Sequence, residues 1–436
     1  MKFLSTRNPD LRASFEEALF TGLAPDGGLF HTVETPDLTG LFESFTPNDS
    51  FVDIASAVTA ELFSEEIDPD TARDICGRAF PFSPELEPLG DRLSLLKLYH
   101  GPSCAFKDFG ASFLANAMEY FLEKEQRTAV ILTATSGDTG SAVAKAFHGK
   151  KNIRVVILYP SGRVSPLQEK QLTTVGGNVA ALEVEGAFDD CQRMVKEAFN
   201  SKDLRARLPL TSANSINLGR LLPQSFYYIY AWVRRPDRQL PLTFCVPSGN
   251  FGNLTAGVLA WTWGLEVKTF IAATNINDVV PEYLKSREYK PRPSVRTYSN
   301  AMDVGDPSNF ERLQAIFGRS WEKMHAKIHE EVVSDEETLE TIRRVYTERG
   351  SFFDPHTAVG YTAAERYLES LEEKNEQVIS LSTAHPGKFL EVVEEATGRR
   401  PELPEQLAQA LDLPKQSTVI DNSLDSLSSF LLSNYG

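Results

Sequence analysis

Leu242-Thr243-Phe244-Cys245-Val246-Pro247-Ser248-Gly249-Asn250-Phe251-Gly252-Asn253 runs directly into Leu254-Thr255-Ala256-Gly257-Val258-Leu259-Ala260-Trp261-Thr262-Trp263. The opening apolar run has no polar alternation, the mark of a strand buried on both faces. A loop of glycines and asparagines follows, and helical periodicity starts at once. The same unit recurs along the chain. Strand-like runs fall at 93–99, 128–134, 154–159, 179–184, 268–273 and 377–382. Helical patterns follow most of them, at 140–147, 188–199, 254–263, 357–371 and 389–396. Such alternation predicts an α/β fold with two mostly parallel, twisted sheets and flanking helices. In these sheets ligands sit beyond the carboxyl ends of the strands, so the loops there are where chemistry is expected.

Residues 1–90 read differently. Pro- and Asp-rich turns such as Ala24-Pro25-Asp26-Gly27-Gly28 and Thr46-Pro47-Asn48-Asp49 separate helical stretches at 14–21 and 51–63, predicting a mainly helical N-terminal domain. Residues 286–309 read as a long loop, and 398–420 as a surface crossover before an apolar C-terminal segment. The aromatic run Phe226-Tyr227-Tyr228-Ile229-Tyr230-Ala231-Trp232 reads as the packed face of a helix.

Composition narrows the function classes. With 44 Lys+Arg against 60 Asp+Glu, the 436 residues carry a formal charge of −16. Nucleic acid and anionic membrane, which need a basic surface, are excluded as partners. A small anionic substrate stays open, because a few local donors suffice to hold it. Cys76, Cys104, Cys191 and Cys245 are widely spaced and form no CxxC, so neither a zinc ribbon nor a disulfide framework is expected. The apolar runs fall short of the roughly 20 residues of a membrane span, and Ser5-Thr6-Arg7-Asn8-Pro9 turns polar too early for a signal peptide. A soluble, cytoplasmic protein is expected. His325 and His329 stand four apart without a third ligand and read as exposed helix histidines, so no metal site is expected.

Five loops carry candidate chemistry. At Gly249–Asn253 the glycines allow close approach of an anion, and the helix start offers unpaired N–H groups and a positive dipole end; a plain strand-to-helix turn is the alternative. At Thr135-Ser136-Gly137-Asp138-Thr139-Gly140 the hydroxyls suit a carboxylate or phosphate, whereas Asp138 suits a helix N-cap. In Tyr99-His100-Gly101-Pro102-Ser103-Cys104-Ala105-Phe106-Lys107-Asp108-Phe109-Gly110, Lys107 lies between two phenylalanines at a helix start. Both surroundings disfavour its ammonium, and a neutral amine is what Schiff-base chemistry requires. Asn214, Ser215, Asn217 and Arg220 form a donor set fit for phosphate, or a cap with a surface arginine. Finally, the apolar run 377–382 ends in Thr383, Ala384, His385 and Pro386, where His385 also reads as a turn residue.

Together these blocks resemble the threonine synthases, pyridoxal-phosphate enzymes of the tryptophan synthase β-like (fold type II) group. The resemblance spans nearly the whole chain. It includes Ser5-Thr6-Arg7, Ser14-Phe15-Glu16-Glu17-Ala18-Leu19 and Gly22-Leu23-Ala24-Pro25-Asp26-Gly27-Gly28-Leu29, and is most specific at His100-Gly101-Pro102 with Ala105-Phe106-Lys107-Asp108-Phe109-Gly110. It implies three domains: 1–90, mainly helical; 91–110 with 205–436, a large cofactor-binding α/β domain; and 111–204, a small α/β domain carrying the substrate carboxylate loop.

The resemblance also implies roles. Lys107 would bear the Schiff base with pyridoxal 5'-phosphate, beside Phe106. The amides of Gly249, Asn250, Phe251, Gly252 and Asn253 would hold the cofactor phosphate. Thr383 would face the pyridine nitrogen and Asp138 the 3′-oxygen. Thr135, Ser136 and Thr139 would bind the substrate carboxylate, and Asn214, Ser215, Asn217 and Arg220 the substrate phosphate. The implied reaction converts O-phospho-L-homoserine and water to L-threonine and phosphate. Two alternatives stay open: a phospholyase releasing 2-oxobutyrate, and a catalytically silent phosphate-ligand-binding homologue. Ser103-Cys104 departs from the family's usual Thr-Leu, which suggests thiol sensitivity near Lys107. The oligomeric state, monomer or homodimer, is left open.

Overall fold

The computed structural model describes residues 2–32, 35–135 and 137–436. Two sheets organise it. The larger has six strands in the order Ile328–Val332, Thr269–Thr274, Leu242–Pro247, Gln377–Ser382, Leu93–Lys97 and Glu85–Pro88. All its pairings are parallel except the last, where Glu85–Pro88 runs antiparallel to Leu93–Lys97. The smaller, five-stranded sheet is wholly parallel, in the order Thr418–Asp421, Val179–Glu185, Ile153–Pro160, Ala129–Ala134 and Leu210–Thr211. Central strands such as Leu242–Pro247 and Ala129–Ala134 are buried at every position. Helices cover both faces, so continuous apolar runs find partners above and below.

The N-terminal part is mainly helical as expected, with Phe15–Thr21, Phe51–Leu62 and Pro69–Ala79. It also holds a small antiparallel sheet of Phe3–Ser5, Arg12–Ala13 and Phe30–Thr32, whose two- and three-residue strands are too short to show a period in the sequence. Residues 398–420 are not a bare crossover: they contain helix Glu405–Asp412 and strand Thr418–Asp421. That strand pairs with Val179–Glu185, and helix Leu424–Tyr435 contributes Leu427 and Leu431 to the core beneath the smaller sheet. The chain end therefore lies with the smaller sheet, as does Leu210–Thr211, and not with the larger unit expected for 205–436. The expected helix around His325 and His329 breaks between them: Trp321–His325 is helical and Ile328–Val332 is a strand.

One helix binds the assembly together. Lys107–Glu125 is buried along most of its length. Its Phe109 ring meets Phe51 and Phe82 from the N-terminal part and Tyr227 from helix Ser225–Arg234 edge-on, at centroid distances of 5.2, 5.0 and 5.6 Å. All five chemistry-bearing loops leave the carboxyl ends of parallel strands, which turns the sequence pattern into one location.

Candidate active site

Lys107 opens the central helix. Phe106, just before it, supplies no side-chain cap, and the Lys107 Nζ lies 5.7 Å from the Phe106 ring centre. The preceding segment is stitched to the end of strand Gln377–Ser382. Phe106 N–H donates to the Thr383 carbonyl at 2.8 Å, and His385 N–H donates to the Cys104 carbonyl at 3.0 Å. Lys107 is thereby fixed beside Thr383, a buried residue. Burial pushes the Lys107 amine below its ordinary value; Asp138 opposes that shift, and Lys388 and Arg220 add to it. Desolvation therefore wins, and the amine is biased toward the neutral form that attacks a carbonyl.

Asp138 is the first residue of helix Asp138–Phe147 and not its N-cap, which is Gly137; its carboxylate turns inward instead. Oδ2 lies 4.0 Å from Lys107 Nζ. Oδ1 receives Lys388 Nζ and Gln168 Nε2, each at 3.0 Å. Burial by itself raises this carboxyl, yet the charges of Lys388 and Lys107 outweigh it and hold Asp138 well below the carboxylate range. It is ionised throughout the neutral range. Among the residues preceding it, Thr135 does not reach outward as expected. Its buried hydroxyl accepts from Gly137 N–H at 3.0 Å and Gly140 N–H at 2.9 Å and donates to the Gly137 carbonyl at 3.1 Å, so it shapes the loop. Thr139 is half-buried on the first helical turn. Ser136 lies outside the described residues.

The Gly249–Asn253 loop fits an anion well. Phe251 adopts a left-handed conformation, φ 59°, as the cap of helix Gly252–Thr262, without a side-chain cap bond. The five consecutive N–H groups of 249–253 find no acceptor among the described residues. A row of unmatched backbone donors at a helix start suits a phosphate. Gly249 is required there: a Cβ would stand 2.7 Å from Met302 Cα and 2.9 Å from the Ala301 carbonyl oxygen. Asn253 is anchored behind the cradle, its Nδ2 on the Pro247 carbonyl at 2.8 Å.

The second anion set is smaller than expected. Arg220 is buried, with Nη1 on the Ala213 carbonyl at 2.6 Å and Nε without a partner among the described residues. No carboxylate pairs with it among the described residues. Burial lowers its guanidinium to about 10, with Asp108 acting in the opposite sense. A buried charge of this kind is matched only when an anion joins it. Ser215 is half-buried and accepts from Asn250 Nδ2 at 2.7 Å, which ties this loop to the Gly249–Asn253 cradle. Asn214 Oδ1 takes the Thr133 hydroxyl. Asn217, by contrast, is structural: it caps helix Leu218–Leu221 through Oδ1 to Gly219 N–H, and its Nδ2 serves the Leu19 and Ser212 carbonyls. Both ends of that amide are occupied, so it does not take the ligand role expected of it.

Cys104 also departs from expectation. It packs with Leu167 and Leu407, and burial pushes its thiol up to about 12, which disfavours the reactive thiolate and argues against the expected sensitivity. His385 is a turn residue whose Nδ1 accepts from Gly387 N–H at 3.0 Å, and burial lowers it to about 4. Sequence reasoning missed Lys388, Gln168 and Gln171. Lys388 stands just ahead of the apolar Phe389-Leu390, an odd place for a solvated lysine; the two glutamines give no signal of their own. No cluster of His, Cys, Asp or Glu able to hold a metal occurs among the described residues.

Comparison with known proteins agrees with this geometry. Residues 81–383 match the model of the family "Pyridoxal-phosphate dependent enzyme", 2–80 match "Threonine synthase N terminus", and 357–431 match "Threonine synthase, C-terminal". Threonine synthase of Serratia marcescens is 42% identical over 433 residues, covering 99% of both chains. The crystal structure of threonine synthase from Escherichia coli superposes with a TM-score of 0.90 at 39% identity, covering 99% of this chain and 100% of that one. The pyridoxal-phosphate-bound threonine synthase from Brucella melitensis gives a TM-score of 0.91 at 34% identity, with 99% and 98% covered. The unmatched cradle at Gly249–Asn253, the neutral-biased lysine and the full-length likeness converge: the chain belongs to the threonine synthases, pyridoxal-phosphate-dependent lyases of fold type II.

Proposed function

We propose that the chain converts O-phospho-L-homoserine and water to L-threonine and phosphate at the site around Lys107. The observation that carries this reading is the position of Lys107. Its amine lies 4.0 Å from Asp138, in a site that also holds two unmatched anion sites, the 249–253 amides and Arg220. One cradle suits the cofactor's phosphate and the other the substrate's.

Pyridoxal phosphate, when bound, supplies the electron sink that stabilises negative charge on the substrate carbons. The chain supplies placement and proton transfer. Lys107 would hold the cofactor, then move protons at the substrate α and β carbons. The C–O bond at the γ carbon breaks and phosphate leaves with its bridging oxygen. Water adds its hydroxyl at the β carbon, and the γ carbon gains a proton to become a methyl group. Arg220 would favour departure of phosphate by neutralising its charge. Thr383 would offer its hydroxyl to the pyridine nitrogen, and Asp138 an oriented acceptor to the 3′-oxygen. Thr139 and Ser136 would bind the substrate carboxylate from the smaller-sheet unit, which we take to be 111–204 with its added edge strands. Asn214 and Ser215 would complete the substrate-phosphate site.

A cytoplasmic location fits four buried cysteines without a disulfide, and no described helix is long and apolar enough to cross a membrane. The test is direct. Borohydride reduction of the holoenzyme and peptide mapping should place the cofactor on Lys107, and phosphohomoserine turnover should release threonine and phosphate one for one. Dominant release of 2-oxobutyrate would replace this reading with the phospholyase.

A further inference from the structure

The Lys388 side chain has no exposed surface. An ammonium so placed persists only when its charge is matched and its three donors are used. Lys388 Nζ meets Asp138 Oδ1 at 3.0 Å, the Ser103 carbonyl at 2.7 Å and Gln171 Oε1 at 3.0 Å. These partners come from three elements: the start of helix Asp138–Phe147, the segment ahead of Lys107, and helix Pro166–Thr173. From that last helix, Gln168 donates to the same Asp138 oxygen. Oδ1 is thus saturated, and Oδ2 is the oxygen left facing Lys107.

We propose that Lys388 is a positioning residue of the reaction centre: it grips Asp138 by one oxygen, turns the other toward Lys107, and cancels the aspartate's charge. Asp138 then acts as an oriented acceptor without placing a net negative group beside the cofactor. This rests on the reading that Lys107 carries pyridoxal phosphate.

The groups facing this pair are few. Asp138, Lys388 and Arg220 act on Lys107. Asp108, Cys104 and His385 feel Lys388 from the surrounding loops, and Lys145 acts on Cys104. Of these, Asp138 alone is within hydrogen-bond distance of Lys388 among the described residues. The charge pattern fixes signs. Lys388→Met leaves Asp138 unmatched, which favours a protonated nitrogen at Lys107. Asp138→Asn leaves Lys388 unmatched, which disfavours it. Removing both restores neutrality.

The experiment is a spectrophotometric pH titration of the holoenzymes, following the cofactor's visible absorbance, with borohydride mapping done first. Lys388→Met should raise the midpoint by about one unit or more, and Asp138→Asn should lower it. The double variant should return to within about half a unit of the parent, and Lys388→Arg, which keeps the charge, should stay near the parent. A lysine that merely fills space moves none of these with opposite signs. Should Lys388→Met fail to fold, Lys388→Gln loses the charge while keeping a donor, and the same upward shift is expected. Label on Lys107 with single variants that shift in the same direction, or not at all, overturns the positioning role alone. Label elsewhere overturns the reading of the site and this role with it.

Discussion

Phe106 donates its backbone N–H to the Thr383 carbonyl at 2.8 Å. The residue before Lys107 is thus tied to Thr383, the residue we propose would face the cofactor's pyridine nitrogen. Two segments almost 280 positions apart in sequence are held in register by main-chain bonds, with Ala105 and Ala384 forming a bridge beside them. Main-chain bonds do not depend on side-chain identity, so replacing either side chain leaves the frame standing and removes only its chemistry.

Lys107→Ala should therefore fold normally and still accept the cofactor's phosphate at Gly249–Asn253. It should form no covalent link and lose threonine formation by at least about a thousandfold. Measured turnover within tenfold of the parent, with cofactor bound, would falsify the assignment of the lysine.

Arg220→Ala separates the two anion sites. Among the described residues the guanidinium meets no carboxylate, and it does not touch the 249–253 amides. The cofactor should stay bound at parental occupancy while KM for phosphohomoserine rises by about 10- to 100-fold, the worth of a charge-assisted hydrogen bond of about 1.5–3 kcal/mol. Loss of the cofactor on gel filtration would show that the division between the sites is drawn in the wrong place.

Gly249→Ala addresses the other cradle. The added methyl would press on the backbone of Ala301 and Met302, not on a flexible side chain that can yield. That turn is itself seated, since Ala301 N–H donates to His356 Nε2 at 3.1 Å. The loop must give way, so cofactor affinity measured by absorbance on dialysis should fall about tenfold or more. The folded core should keep its thermal midpoint in the apo form.

The sheet and its loops were legible because buried parallel strands are continuous apolar runs: 377–382 was read to the residue, and 93–99 and 179–184 to within two positions. The N-terminal sheet was not, since strands such as Arg12–Ala13 have no length over which a period can repeat. The edge strand Thr418–Asp421 was missed for another reason: it is largely exposed, and its place is set by pairing with Val179–Glu185. Site residues divide along similar lines. Lys107 and Gly249 announce themselves through neighbours in sequence. Lys388, Gln168 and Gln171 act only through partners brought from other elements. Thr135 and Asn217 show the converse, because a residue type suited to a ligand is equally suited to holding its own loop.

Cys104 gives a chemical check on the packing. With its thiol pushed up to about 12 and buried against Leu167 and Leu407, the thiolate fraction at pH 8 falls about a thousandfold below that of an ordinary cysteine. Iodoacetamide should leave the holoenzyme active over times that consume free thiols, and mass spectrometry should find position 104 unmodified. Rapid alkylation there with matching inactivation would mean that the loop opens far more often than this packing allows.

Asp108 supplies a pH dependence with a definite sign. Ser103 N–H donates to its Oδ2 at 2.9 Å, but Oδ1 is buried without a partner among the described residues. Burial pushes the carboxyl up to about 6, against the pull of the Ser103 bonds and Lys388. Its folded value thus lies above its unfolded value of about 4. Such a group stabilises the fold fully below the unfolded value and loses that contribution as pH rises through the folded one. A shift of about two units corresponds to about 3 kcal/mol. Asp108→Asn stays neutral throughout and loses nothing across that window. The variant's unfolding midpoint, compared with the parent's at each pH, should therefore improve steadily from about pH 4 to just above pH 6 and then level off. A difference that stays flat across that range would show that Asp108 is ionised in the folded protein, and that its partnerless oxygen is reached by water.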